Sequence, residues 1–486
     1  MSLTNSVAPA TAAKAERPAE RPFLNGLNVV ARRAVNVIRL HAGMRQAASL
    51  IGSDRSTPGI QRTRREKQHE RSRSTHGSDC ITRWSWCAGL LCTLVPTLAV
   101  AQSNVSQSER GAASHSASPT QRVDTAASAE FAAYTDTNAV TVFTPSVSAT
   151  VSKRGGSWSA SGHYLADIVS AASVDIVSSA SSRWTEVRHE AALSATYQPR
   201  TVGVTVSGSV SREPDYLSLG VGALLRWEVA QKNVNPMLGY SFSHDTAGRT
   251  GTPFSVFSLQ LARHQFTLGT ELVLDRATTV LLSADGVLEL GDSSKPYRFL
   301  PLFSASVAPH VQPGASIEEV NALRLPGRTK ERVPSERARI ALSARFAKRY
   351  RNTTWTVFER LYADDWGMWG TTSELRYLRS WSSHFEWWLQ ARGHAQTAVW
   401  FWKRAYVAQF SDGSLTVPEY RSGDRELSPL LSLTASAGVR WLLAPDALQS
   451  ASFSLQFDEM LTDFRDALYI DGRLAHLGIL QAEVPF

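Results

Sequence analysis

From about residue 128 to the C-terminus, apolar and polar residues alternate with a period of two. Successive side chains of a β-strand point to opposite faces, so each set lines one face. Over 337–348, Ala338, Ile340, Leu342, Ala344 and Phe346 form one set, and Arg337, Arg339, Ser343 and Arg345 the other. On a helix these arginines would scatter around the cylinder. The pattern recurs over 217–227, 266–274, 280–289, 384–392 and 431–441. The segments run 10–14 residues. Strands of soluble sheets usually have about five or six, and a transmembrane β-strand needs about 9–11.

The separators sort by length. Short ones fall at 154–156, 199–200, 231–233, 275–276, 351–352, 381–383 and 444–446. Long polar ones fall near 170–186, 246–260, 291–336, 395–429 and 462–472. Short turns at one end and long loops at the other is the layout of outer-membrane barrels. The expected fold is all-β: a closed antiparallel transmembrane β-barrel of about sixteen strands, with fourteen as the alternative. An open sheet would leave bare edges in hydrocarbon, at several kcal/mol per unsatisfied backbone group, so the sheet must close. A soluble β-sandwich or β-helix accounts for alternation but not for strand length or loop asymmetry.

Composition adds exclusions. The 486 residues hold 51 Lys+Arg and 43 Asp+Glu, a formal charge of +8. A basic chain suggests a polyanion partner. However, residues 1–80 hold 14 basic and 6 acidic residues, and 81–486 hold 37 of each. The excess is all N-terminal, so no nucleic-acid partner is expected. The three cysteines are Cys80, Cys87 and Cys92, so no disulfide or thiolate metal site can follow them. No apolar run of about 18 residues appears after 102, which removes a helical membrane protein.

Residues 83–102 have the parts of a secretory signal. Arg71, Arg73 and Arg83 precede an apolar stretch from Trp84 to Val95, Pro96 ends it, and Ala99-Val100-Ala101 forms a small-x-small cleavage site. The expected organisation is a mis-called or disordered leader over 1–80 and a signal peptide over 81–101, cleaved after Ala101. A flexible periplasmic lead-in over 102–127 and a barrel over 128–486 follow.

The last strand carries Leu480, Ala482, Val484 and Phe486 on one face, and Gln481 and Glu483 on the other. An apolar strand ending in Phe resembles the signal by which bacterial barrels are handed to their insertion machinery. Pro485 lacks an N–H, which suits a strand end with no partner on that side. Trp227, Trp355, Trp369, Trp381 and Trp441 sit at strand ends, as in an interfacial aromatic girdle.

Several ordered stretches resemble an uncharacterised bacterial outer-membrane barrel family, the domain of unknown function 3570. They include Ser170 to Val177 with Trp184-Thr185-Glu186-Val187-Arg188, Glu213-Pro214-Asp215-Tyr216, and His244-Asp245 with Gly248 to Pro253. Further on come Leu274 to Thr278, Ser294 to Arg298, Arg360-Leu361-Tyr362, Trp402 to Tyr406, and Gly423 to Leu427. The resemblance spans about 130–486. It implies an outer-membrane barrel and brings no activity, substrate or site residues.

No catalytic signature holds, and no cofactor or metal is expected. His189-Glu190 begins a His-Glu-x-x-His motif, but Leu193 stands where the second His belongs. Ser243, His244 and Asp245 offer hydrolase chemistry at a barrel rim; a polar strand end is the commoner meaning. His189, His384 and His394 show no ligand spacing. The charged inward face says more. Arg188, Glu190, Arg226, Glu271, Asp285, Glu289, Arg337, Arg339, Arg345, Glu374, Arg376, Glu386, Arg392, Arg440 and Glu483 are expected to line the lumen. They either hold water and pass polar solutes or pair into a rigid wall. Arg337, Arg339 and Arg345 form a basic stripe that favours anionic solutes in an open lumen. The 291–336 and 395–429 loops are long enough to fold inward as constrictions or to bind a partner outside. The expected function is a passive pore for polar or anionic small solutes. The alternatives are an assembly barrel whose loops bind a partner and, last, a barrel hydrolase. The expected partners are outer-membrane lipid and the insertion machinery.

Overall fold

The computed structural model describes residues 123–154, 156–171, 184–411, 414–444 and 450–486. The expected leader, signal peptide and most of the lead-in lie outside the described residues, as does 172–183 of one long loop. Sixteen strands form a closed barrel, each antiparallel to the next. The first nine are β1 (Val123–Asp136), β2 (Val140–Lys153), β3 (Trp158–Ala171), β4 (Trp184–Tyr197), β5 (Val202–Glu213), β6 (Tyr216–Trp227), β7 (Val234–Ala247), β8 (Leu259–Asp275) and β9 (Thr278–Gly291). The others are β12 (Glu336–Tyr350), β13 (Thr353–Asp364), β14 (Trp369–Ser380), β15 (Phe385–Gln396), β19 (Leu430–Leu442), β20 (Ser452–Phe464) and β21 (Gly472–Pro485). β1 pairs with β21 and closes the ring.

The expected count of sixteen stands. One boundary is corrected: the lead-in, expected to reach 127, gives way to strand at Val123. Residues 123–129 read Val-Asp-Thr-Ala-Ala-Ser-Ala, with little amphipathic contrast. Pairing with β2 out to Lys153, rather than side-chain pattern, extends the strand.

The outer face is apolar. Large hydrophobic residues stand exposed at every second position, as with Leu219 and Val221 on β6, Phe266 and Leu268 on β8, and Leu433 and Val439 on β19. In water such a belt would drive aggregation; in a bilayer it meets lipid. Aromatic residues gather on it near the end that carries both termini. Trp355 and Tyr377 lie 4.7 Å apart, Tyr377 and Trp387 5.3 Å, and Phe385 and Trp441 6.2 Å.

Phe486 stands on this outer face and exchanges backbone hydrogen bonds with Thr125 on β1. Backbone N–H groups alternate sides along a strand, so the position of Pro485 faces β20. The last residue of β20 in register there is Ser452, opposite Glu483. The missing N–H of proline therefore points past the end of its neighbour, where no partner waits.

At the opposite end, long connections dominate, but 137–139, 214–215 and 365–368 are tight. The 292–335 and 397–429 loops carry structure of their own: β10 (Phe299–Phe303), β11 (Arg328–Lys330), β16 (Tyr406–Val407), β17 (Gln409–Ser411), β18 (Ser414–Thr416) and a helix over Ile317–Leu323. β10 pairs antiparallel with β11 and parallel with β16, which joins the two loops in one small sheet. The buried apolar clusters form here rather than inside the barrel. One holds Phe303, Ala308, Val311, Ala315 and Val320; another holds Leu300, Leu302, Tyr406 and Ala408.

Candidate functional site: the lumen and its loop cover

Because the outer face is apolar, the intervening positions point inward. By strand parity, Arg188, Glu190, Arg226, Glu271, Asp285, Glu289, Arg337, Arg339, Arg345, Glu374, Arg376, Glu386, Arg392, Arg440 and Glu483 all lie on the inner face. What the alternation could not reveal is who stands beside whom.

Toward the loop end most of these charges are paired. Glu289 accepts from Arg263 at 3.0 Å and pairs with Arg339. Arg263 also reaches Asp245 at 3.5 Å. Arg337 pairs with Asp364 at 2.5 Å and lies over the Trp366 ring at 4.3 Å. Arg360 reaches Asp285 at 3.4 Å, and Arg188 donates to Asp167 at 2.8 Å. The basic stripe expected from Arg337, Arg339 and Arg345 is therefore corrected. The first two are neutralised by carboxylates on neighbouring strands. Of these three, Arg345 alone has no carboxylate within 4.0 Å among the described residues.

The wall is uneven around its circumference. From β2 to β7 many inner positions are small or hydroxylic, including Ser148, Ser161, Thr205, Ser207, Ser209, Gly220 and Gly222, with Asp167, Arg188, Glu190, Arg226 and Asp245 as charges among them. Some hydroxyls pair across strands, as Ser161–Ser194 and Thr196–Thr205 do, each at 2.8 Å. From β8 to β15 the wall carries long charged side chains. Trp388 also lies on this inner wall. Its ring lies so close over Gly438 that a Cβ there would stand 2.1 Å from it, so this position needs glycine.

The loops knit together over the far end. The 292–335 loop leaves between β9 and β12, yet Gly314 N–H donates to Ala467 O at 2.9 Å and Tyr469 N–H donates to Ala315 O at 3.1 Å. Ala467 and Tyr469 belong to the β20–β21 connection, and six strands lie between. The loop thus crosses the mouth. In the other direction Tyr297 donates to Asp215, between β5 and β6, at 2.7 Å, and accepts from Thr250 N–H at 2.6 Å. Burial and the Asp215 carboxylate push the Tyr297 hydroxyl up to about 12. Arg298 clamps this loop to the 397–429 loop, meeting Glu331 at 3.1 Å and Asp424 at 2.8 Å. Burial pushes the Asp424 carboxyl up, but the Arg298 guanidinium outweighs it and holds it below the usual range.

The other candidates do not assemble. His244 faces outward, bonded to Gln260 at 2.7 Å, whereas Asp245 faces inward, bonded to Ser218 at 2.6 Å. Adjacent residues on one strand cannot share a face, so no hydrolase group forms there. His189 is on the outer face of β4, beside Tyr164; His394 is on the inner face of β15, bonded to Thr372; His384 lies in the turn before β15. Glu186, Glu213 and Asp215 bring carboxylate oxygens within 4.8 Å of one another. Lys295 supplies counter-charge to Glu213, and burial pushes its ammonium down.

Not every strand charge faces inward. Glu359 on β13 and Glu459 on β20 are on the outer face, where they line a shallow groove with Ser373, Leu375, Ala391, Gly393, Leu433 and Ala435. The rule that charges face inward failed for both. Glu359 is satisfied locally, accepting from Thr371 at 2.6 Å.

A closed antiparallel barrel with an apolar belt, an aromatic cluster at one end and a polar lumen is a transmembrane β-barrel. Residues 262–482, from β8 to β21, match the model of the family described as protein of unknown function (DUF3570). The resemblance read from the sequence is thus shown over that stretch. No curated protein matches the chain. Solved structures with a similar course of chain include the siderophore receptor PirA from Acinetobacter baumannii, at 10% identity and a TM-score of 0.36. That match covers 69% of this chain and 53% of the receptor, so the chain spans about half of the receptor's length. Pseudomonas aeruginosa OccK7 (OpdD) matches at 10% identity and a TM-score of 0.38, covering 75% of this chain and 98% of its own. OpdK with vanillate, also from Pseudomonas aeruginosa, matches at 5% identity and 0.36, covering 75% and 99%.

Proposed function

We propose that this protein is a passive pore for small polar solutes in the outer membrane of a Gram-negative bacterium. The observation that carries the reading is the lumen wall. It combines hydroxyl and small side chains, densest over β2 to β7, with charged side chains that extend from Arg188 and Glu190 on β4 to the richly charged β8 to β15. Such a wall holds water, and a water-filled barrel passes what fits. The membrane placement rests on the apolar belt, the aromatic cluster and Phe486 at the strand end, together with the signal-like 81–101 segment. Loops that cross the mouth restrict the size of solute. The test is swelling of proteoliposomes in small sugars and amino acids. Swelling that slows with solute size supports a pore; no swelling with any solute overturns it.

The loop cover favours a second reading, an assembly barrel that binds a partner outside the membrane. Val256 is 75% exposed and Trp400 61% exposed on this cover. Copurification of a partner that depends on Trp400, together with absent swelling, would select it.

A further inference from the structure

The lumen's charges divide into two levels. Toward the loop end the arginines have carboxylate partners. Halfway down, three do not. Arg345 on β12, Phe358 on β13, Glu374 on β14 and Arg392 on β15 occupy one row of the ladder, each opposite the next. Arg376 lies two residues from Glu374 on the same face. Among the described residues, none of Arg345, Arg376 and Arg392 has a carboxylate within 4.0 Å. Glu374 stands among these three guanidinium groups, and Glu386 and Arg440 are the next charges acting on Arg376, so arginines outnumber glutamates in this neighbourhood.

Two further observations bear on this cluster. The Nε of Arg376 is buried and has no hydrogen-bond partner. Its guanidinium lies 5.0 Å from the centroid of the Trp388 ring, which fixes its plane. Arg345 and Arg392 are exposed to the lumen. Strands lie about 4.8 Å apart, so their Cα atoms, three strands apart, are roughly 14 Å from each other. Extended arginine side chains are long enough to reach one small ion from both sides of such a gap. Guanidinium groups take oxyanions in a two-pronged geometry that a lone ammonium cannot offer.

We infer that Arg345, Arg376 and Arg392 form an anion-binding belt that selects small solutes bearing a carboxylate or phosphate group. The inference deepens the pore reading and rests on it for selectivity, though anion binding itself does not require conduction. The belt replaces the Arg337–Arg339 stripe as the selective element, because those two already hold carboxylates.

The experiment measures reversal potential across a potassium chloride gradient, then with potassium phosphate. The wild type is expected to favour anions by at least about threefold. Arg345→Gln, Arg376→Gln and Arg392→Gln together should abolish that preference. The matching triple Lys variant should retain most chloride selectivity but lose preference for phosphate. Heat-modifiable gel mobility checks that each variant is a folded barrel. A cation-selective wild type, or a Gln variant with unchanged selectivity, overturns the belt while leaving the pore intact. Absence of any conductance overturns the pore instead. Chloride NMR line width in detergent then decides the belt: the wild type must broaden the line more than the Gln variant, and equal broadening overturns it.

Discussion

Replacing Glu289 with Gln isolates the ion pairs that hold the charged half of the wall. Glu289 is 3% exposed and serves two arginines, Arg263 and Arg339. The two lose unequal amounts. Arg263 is 36% exposed at its side chain and keeps Asp245 at 3.5 Å, so solvent and a second carboxylate soften its loss. Arg339 is only 12% exposed and has no other carboxylate within 4.0 Å among the described residues. Breaking one side of a buried pair costs about 3–5 kcal/mol, because the remaining charge is left unsolvated. Most of that falls on Arg339. Removing both charges with Glu289→Gln and Arg339→Gln should recover about 2–3 kcal/mol relative to the sum of the single changes. The assay is urea unfolding in phospholipid vesicles, read by tryptophan fluorescence and gel mobility. A single-variant loss under about 1 kcal/mol, or strict additivity in the double variant, would refute the reasoning.

Tyr297→Phe removes the bonds to Asp215 and Thr250, so the 248–254 backbone should exchange hydrogen faster, by about 1–2 kcal/mol of protection; unchanged exchange would deny the tether. Glu359→Leu on the lipid-facing groove should stabilise the barrel in vesicles by about 1 kcal/mol, and destabilisation would mean that the carboxylate is needed where it stands. The folded-state carboxyl of Asp424 is depressed, so its contribution is fully present above the ordinary Asp value, about 3.9, and is lost as pH falls through the lower folded value. Limited proteolysis of the 397–429 loop should therefore rise below about pH 4, and Asp424→Asn should show the raised level at all pH values. Deleting Phe486 should prevent membrane assembly, read by cell fractionation; normal assembly would remove it from that role.

The barrel was legible because its signal is local. A period of two, kept for 12–17 residues per strand, specifies both the strand and its inner face without knowledge of any partner. Pairing across strands was not legible. Arg339 and Glu289 are fifty residues apart and meet only because register places β12 against β9. For that reason the arginine stripe looked free and was not. β1 began five residues early because ladder bonds, which leave no trace in side-chain pattern, extended it. The loop cover was hidden for another reason. Phe299-Leu300-Pro301-Leu302-Phe303 reads as a plain apolar run, and its meaning depends on β16, more than a hundred residues away. Glu359 and Glu459 broke the rule that charges turn inward; only parity marks them, each standing two residues from outward apolar side chains, Val357 on β13 and Phe457 and Leu461 on β20.

The central claim is that the lumen conducts. Purified protein added to a planar lipid bilayer tests it most directly. Discrete conductance steps are expected, and the variant with Arg345→Gln, Arg376→Gln and Arg392→Gln together should retain them with altered ion selectivity. Insertion of a folded barrel, verified by gel mobility, without any conductance step would contradict it.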